Sequence, residues 1–188
     1  MFPIKIKQKA EKVFKEGKTI GVIHFESPRC RTLLESFNDE TLKTLSIICS
    51  IIRPAASHQV SEILRRFKGG RFSYAHPELE NILSDTYGIM VYQEDVMRVA
   101  KALAGFSSQE GNELRKALSK KGKKLSYYQD KFYKGCQLSG MTNSQIDILW
   151  EDIISFAGYS FCKPHSDSYS LVAYKSAFLK AYYPAEFM

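Results

Sequence analysis

The stretch TNSQIDILWEDIISFAG, from Thr142 to Gly158, is the clearest indicator of the fold class. Its apolar residues recur at spacings of three and four, which places them on one face of a helix. They are Ile146, Leu149, Trp150, Ile153, Ile154 and Ala157. Thr142 or Asn143 suits the N-cap position, and Gly158 suits the end of the helix. This segment therefore predicts a long amphipathic helix.

Shorter signals of the same kind occur throughout the rest of the chain. Pro28 follows the capping residue Ser27, and Pro77 also suits the first turn of a helix. Further helices are predicted over 7–16, 42–52 and 94–104, from Ser107 or Ser108 onward, and over about 166–183. A short extended piece is expected at 88–92, and no strand-like alternation is longer than a few residues. The fold class is therefore predicted to be mainly α and multi-helical, with at most short β segments.

Composition narrows the class of protein. The 188 residues include 27 Lys and Arg against 20 Asp and Glu, a formal charge of +7, and 44% are hydrophobic. This balance is typical of a globular chain. There is no apolar run of membrane-spanning length and no apolar signal core near the start. Four cysteines without a CxxC spacing indicate reduced thiols. We therefore expect a cytoplasmic protein with no membrane partner.

The positive charge is concentrated in two parts of the chain. Residues 1–71 hold 14 basic and 7 acidic side chains, and residues 99–135 hold 9 and 3. The densest cluster follows Glu113, with no acidic residue before Asp130. Its members are Arg115, Lys116, Lys120, Lys121, Lys123 and Lys124. Two readings remain open from charge alone: a phosphate-binding helix face and a solvated lysine face.

The segment FAGYSFCKPHSDSY, from Phe156 to Tyr169, is the second candidate site. Lys163, His165 and Ser166 precede the predicted final helix, whose N-terminal amides favour an anion. Tyr159 offers a ring on which a base can stack. The alternative is an ordinary helix-to-helix connection in which the aromatic residues complete the core and Ser166 is a cap. Arg53, after an apolar helix, is a further candidate because its charge must find a partner or solvent.

No catalytic or metal-binding motif is present. The sequence has no phosphate-binding G-x-x-x-x-G-K-[ST] loop, no HExxH and no D-x-D. Cys162 and His165 could begin a zinc site, but no second pair has ligand spacing. The neighbouring acids Glu94 and Asp95 are expected on a solvated helix face. The chain is therefore predicted to bind nucleotides without catalytic residues or a metal site of its own.

Six blocks of the sequence stand out when they are taken in order: GVIHFES at 21–27, SIIRP at 50–54, YGIMVYQEDVM at 87–97, LRKALSKK at 114–121, FAGYSFCKPHSDSYSLVAY at 156–174 and LKAYYPAEFM at 179–188. Together they resemble one known family, the bacterial DNA polymerase III alpha subunits, which are C-family DNA polymerases. Several blocks in the family order are more specific than any single motif. The resemblance covers nearly the whole chain and corresponds to the fingers region.

The resemblance implies roles for individual residues. The basic helix would face the triphosphate of the incoming dNTP through Arg115 and Lys116, with Lys120 and Lys121 nearby. The residues implied to line the nucleotide pocket are Tyr159, Lys163, His165 and Ser166, and Arg53 corresponds to the arginine of the family's Arg-Pro-Gly segment. The metal-binding aspartates belong to the palm, which precedes this region in the family.

The resemblance also implies how the chain is organised. Residues 1–188 would be a fingers-domain fragment, with about 1–20 as a lead-in helix and the palm absent. The end at Pro184 to Met188, which suits the first turn of another helix, also favours a section of a longer protein. Mg²⁺ would be bound outside this chain, which alone is expected to be inactive. The implied partners are dNTP, primer-template DNA, the rest of the alpha subunit and the sliding clamp.

Several positions depart from the family pattern. Ala55 replaces the glycine of Arg-Pro-Gly, His24 replaces a glutamine, and Lys116 replaces the second arginine of a pair. Lysine keeps the charge but loses the bidentate fork of arginine. These changes favour a divergent or accessory alpha subunit. The alternative from a different class is a non-catalytic basic helical module that binds the DNA or RNA backbone.

Overall fold

The computed structural model describes residues 4–52, 57–120, 124–157 and 161–187. These residues form eleven α-helices and one 3₁₀ turn. The helices are α1 Ile4–Lys15, α2 Pro28–Phe37, α3 Leu42–Ile51, α4 Ser57–Phe67, α5 Pro77–Leu83, α6 Gln93–Ala104, α7 Ser108–Lys120, α8 Leu125–Leu138, α9 Asn143–Ala157, α10 Lys163–Tyr182 and α11 Pro184–Phe187, and the 3₁₀ turn is Ser84–Thr86. Across these ranges the only β feature is a parallel bridge between Tyr92 and Phe161. The prediction of a mainly α fold is confirmed.

Local signals explain where several helices begin and end. The Ser27 hydroxyl accepts the amide of Cys30, and Pro28 occupies the first turn of α2. Gly105 ends α6 in the left-handed region at φ 67°, a conformation that favours glycine. The sequence-based predictions omitted α4 and α8, and placed the start of α10 at Ser166 instead of Lys163. Pro164 is thus not in a loop but in the first turn of α10, where its missing N–H costs no hydrogen bond.

The chain divides into two units. Unit 1 contains Met1–Val60 and Lys163–Met188, and unit 2 contains Ser61–Cys162. Unit 1 is thus assembled from two separate parts of the sequence, and unit 2 is continuous. None of the helices described here has the length and apolar character that a bilayer span requires.

Unit 1 is built around the packing of α10 against α1 and α3. Small residues line the buried face of α10 at helical spacing, and these are Ser166, Ser170, Ala173 and Ala177. Small side chains allow two helices to approach closely, and the hydroxyls then need partners inside the interface. Ser166 Oγ donates to the carbonyl of Ser46 at 2.5 Å and lies 2.9 Å from Ser50 Oγ. These two contacts fix the position of α10 along α3.

Unit 2 has an aromatic core at the centre of its helices. Phe132 on α8 is fully buried, with its ring centroid 5.2 Å from that of Trp150 and 6.4 Å from that of Phe106. The pKa of the nearby Cys136 thiol is raised to about 12 because it is buried. This core supports α6, α7, α8 and α9, and therefore fixes the framework that carries the basic helix α7.

Gly135 is the point of closest approach between α8 and α6. A Cβ at this position would lie 2.2 Å from the carbonyl oxygen of Ala104, whereas a Cβ at Gly111, also helical, would lie 3.5 Å from Met97. We expect Gly135→Ala to lower the free energy of unfolding by about 1–3 kcal/mol, because the backbone must move to relieve the overlap. Gly111→Ala should raise it by up to about 1 kcal/mol through helix propensity. Urea denaturation of both variants tests this, and equal midpoints would contradict the close approach.

Candidate functional site

Arg115 lies on the half-exposed face of α7 and is held by two amide side chains. Its Nε and Nη2 donate to Asn112 Oδ1 at 3.3 and 3.0 Å, and its Nη1 donates to Gln93 Oε1 at 3.2 Å. Both acceptors are neutral. The guanidinium is therefore held in place while its charge stays uncompensated by any hydrogen-bonded carboxylate in the described part of the chain.

Other cations of unit 2 have a different environment. Glu62 accepts from both Arg65 and Arg66, and hydrogen bonds from Arg65 and then Arg66 lower the pKa of the Glu62 carboxyl to about 2. Lys131 pairs with Glu110 and likewise lowers the pKa of that carboxyl to about 2. These cations are neutralised by carboxylates, so Arg115 is better suited to receive an external anion.

Only part of the predicted basic cluster lies among the described side chains. Lys116 is exposed and follows Arg115 on α7. Lys120 ends α7, but its side chain is outside the described residues. Lys121 is outside them altogether, as are Arg53 and Tyr159. The predicted roles of these residues remain predictions.

Gln93 connects Arg115 to the segment after α9. Its backbone N–H donates to the carbonyl oxygen of Phe161 at 2.9 Å, next to the bridge between Tyr92 and Phe161. Its side-chain Nε2 donates to Glu94 Oε1 at 3.2 Å, while Oε1 accepts from Arg115. One residue thus contacts the basic helix through its side chain and Phe161 through its backbone.

Asp95 fixes the start of α6 beside Gln93. Its carboxylate accepts the amides of Val91 and Tyr92 at 3.0 and 2.9 Å, and the residue is only 3% exposed. The expectation of a solvated Asp95 is therefore wrong. The reason is that the carboxylate caps the helix from inside, where the free N-terminal amides need an acceptor. A carboxylate three residues after the N-cap is the sequence signal that could have shown this.

The second group of predicted residues lies in unit 1, in the first turn of α10. Lys163 is half-buried and His165 is exposed. The ring of Tyr169 contacts two imidazoles, with centroids 4.1 Å from His165 and 3.8 Å from His24. His24, one of the departures from the family pattern, has a left-handed φ of 64°. Tyr169 thus contacts both His165 and His24 within this unit.

Ser166 has an internal position. It is fully buried, with its hydroxyl engaged by Ser46 and Ser50 of α3, and the neighbouring Asp167 accepts from Ser46 Oγ at 2.5 Å. A fully buried hydroxyl presents no surface to a nucleotide. Any effect of Ser166 on a bound ligand would therefore act through the position of α10.

No metal centre is present in the described ranges, because no three His, Cys, Asp or Glu side chains come together there. The four cysteines are free, and three of them are buried, which leaves Cys162 as the partly exposed thiol. The described residues therefore contain no cluster of ligands that could hold a magnesium ion.

Sequence reasoning missed two residues that define the surroundings of Arg115. Asn112 lies three residues before Arg115, so helical spacing predicts their contact once α7 is recognised. Gln93 is 22 residues away and belongs to a different helix. Its membership of the block YGIMVYQEDVM was the only signal, and that block gave it no role.

Comparison with known proteins agrees with the sequence blocks. Residues 4–140 match the family described as the bacterial DNA polymerase III alpha subunit finger domain. The chain is 37% identical over 182 residues to DNA polymerase III subunit alpha of Neisseria meningitidis serogroup A, covering 96% of this chain and 16% of that protein. It is 40% identical over 183 residues to the protein of the same name from Aquifex aeolicus, covering 95% of this chain and 16% of that protein. For the protein of that name from Treponema pallidum, the identity is 40% over 177 residues, covering 92% of this chain and 15% of that protein.

The match to the family covers residues 4–140. It includes the basic helix α7, the Gln93 segment and the Arg66–Glu62 pair, all within residues 4–140. The chain spans about a sixth of the length of the curated relatives it matches. The resemblance recognised in the sequence is thereby confirmed, and the chain belongs to the bacterial DNA polymerase III alpha subunit finger-domain family.

Proposed function

We propose that this chain binds the triphosphate of an incoming dNTP as part of a DNA polymerase, with Arg115 and Lys116 of α7 as the principal contacts. The observation that carries this proposal is the state of Arg115, a positioned guanidinium whose hydrogen-bond acceptors are both neutral. The family match, which includes α7, supports the same conclusion.

The chemistry of the guanidinium suits a triphosphate. A guanidinium has five N–H donors, and three of them bond to Asn112 and Gln93. This leaves one donor on each terminal nitrogen, counted over the described residues. Two such donors match two phosphate oxygens in a bidentate pair. Lys116 adds a second, mobile charge next to it.

In this proposal the fingers act by positioning and by electrostatic stabilisation. The primer 3′-hydroxyl attacks the α-phosphate, and negative charge accumulates on the departing pyrophosphate. Because phosphoryl transfer depends mainly on alignment and charge stabilisation, cations that hold the β- and γ-phosphates serve both purposes. Mg²⁺ would be bound by residues outside this chain. Residues outside it would also contact the primer-template DNA and a sliding clamp. The nucleotide contacts that the resemblance implies for Lys163 and His165, which lie in unit 1, stay predictions.

Titration of the chain with dATP tests the proposal. We expect saturable binding with amide NMR shifts at Arg115 and Lys116, similar shifts with inorganic tripolyphosphate, and none with deoxyadenosine, which lacks phosphates. The rival backbone-binding module predicts no dATP response and duplex binding whose affinity falls steeply with salt. The isolated chain should extend no primer in the presence of magnesium. Absence of dATP shifts, or robust primer extension, would overturn the proposal as stated.

A further inference from the structure

We propose that Gln93 is a positioning residue for Arg115, and that the neutrality of its amide is what this position requires. The inference rests on the proposed function of Arg115. Gln93 does not need to touch the nucleotide. It holds the guanidinium without neutralising its charge, so that the charge stays available to the triphosphate.

The orientation of the Gln93 amide is fixed from both sides. The Glu94 carboxylate can only accept a hydrogen bond, so it takes the amide NH₂, at 3.2 Å. The Arg115 guanidinium can only donate, so it faces the amide oxygen, at 3.2 Å. An amide has a donor and an acceptor on one planar group, so it can satisfy both neighbours at once. A glutamate would face the carboxylate of Glu94, and a lysine would repel Arg115.

The backbone of Gln93 is fixed independently of its side chain. The bond from its N–H to Phe161 and the two amides held by the buried Asp95 define the start of α6. The amide oxygen is therefore presented from a rigid helix terminus. A supporting group held in this way can determine the direction of the residue that contacts the ligand.

Two substitutions separate this role from a purely structural one. Gln93→Glu keeps the length of the side chain and strengthens its attraction to Arg115, but it neutralises the guanidinium. Gln93→Ala removes the contact and leaves the charge. We expect Gln93→Glu to weaken tripolyphosphate and dATP binding about tenfold, the size of one charge-assisted hydrogen bond, and Gln93→Ala about threefold.

Gln137→Glu is the matched control. Gln137 is an exposed amide on α8 of the same unit, so this variant carries the same change of net charge on another helix. We expect its dATP affinity to equal that of the unmodified chain within twofold. Urea denaturation of all three variants checks that each remains folded.

The possible outcomes are distinct. A larger loss for Gln93→Glu than for Gln93→Ala supports the proposal. The reverse order, or unchanged binding in both variants while Arg115→Ala binds poorly, overturns the role of Gln93 and leaves the function of Arg115 intact. If the unmodified chain and Arg115→Ala both fail to bind dATP, the proposed function fails, and the role of Gln93 fails with it.

Discussion

Arg115→Ala is expected to lower kcat/KM for single-nucleotide incorporation by about 100- to 1,000-fold, the cost of removing one preorganised donor from a developing charge. The measurement uses a chimera in which this chain replaces the 182 matched residues of the Neisseria meningitidis alpha subunit. The physical reason is that the substitution removes the charge of Arg115 together with its N–H donors. Arg115→Lys should recover part of the rate, because it restores the charge but not the fork.

Lys101→Ala provides the control for this result. Lys101 is an exposed cation on α6, in the same unit but on another helix. We expect its kinetics to match those of the unmodified chimera within twofold. If Arg115→Ala and Lys101→Ala are indistinguishable, the charge of α7 is ordinary surface charge. If both instead weaken only duplex binding and reduce its salt dependence, the backbone-binding alternative is favoured.

Phe132→Ala should have the largest effect on stability, lowering the free energy of unfolding by about 3–5 kcal/mol. The ring is fully buried between Phe106 and Trp150, and its removal leaves a cavity that rigid helices cannot close. Urea denaturation followed by fluorescence measures this directly, since Trp150 is the only tryptophan and lies in the same unit. Far-UV circular dichroism should give the same midpoint.

Leu138→Ala, at the end of the same helix, is the comparison. Leu138 is 91% exposed, so its truncation should change the free energy of unfolding by no more than about 0.5 kcal/mol. A Phe132→Ala midpoint equal to that of Leu138→Ala would mean that α8 does not carry the core of unit 2.

The fold class could be predicted because its signals are local. The apolar stripe of α9 and the Ser27–Pro28 start of α2 depend only on residues within a few positions of each other. Helix α8 was missed because its buried residues, Tyr128, Phe132 and Cys136, form a sparse stripe that is interrupted by Gly135. Glycine disfavours an isolated helix. Gly135 is nevertheless suited to this position, because a side chain there would overlap the carbonyl group of Ala104 on α6.

In the candidate site, too, some features could be predicted from local sequence and others depend on how the helices pack. Arg115 and Lys116 were identified by resemblance and by the absence of acidic residues between Glu113 and Asp130. The interaction with Gln93 depends on how α6 and α7 pack, and no pattern within either helix contains it. Ser166 was predicted from its neighbours in the sequence, but its side chain is directed by the α3 interface instead. The sequence therefore proposes which cations matter, while packing determines which groups contact Arg115.

The discontinuity of unit 1 has a consequence for biosynthesis. Helix α3 is complete by Ile51, but α10, which covers it, begins only at Lys163, after the 102 residues from Ser61 to Cys162 have been made. At about 5–20 residues per second, that interval is about 5–20 s on the ribosome. During this time the apolar face of α3 has no partner from α10, whereas unit 2 is continuous and can fold as it emerges. We therefore expect newly made chains to be accessible to chaperones and proteases through the faces of α1 and α3 that α10 later covers, until α10 leaves the ribosome.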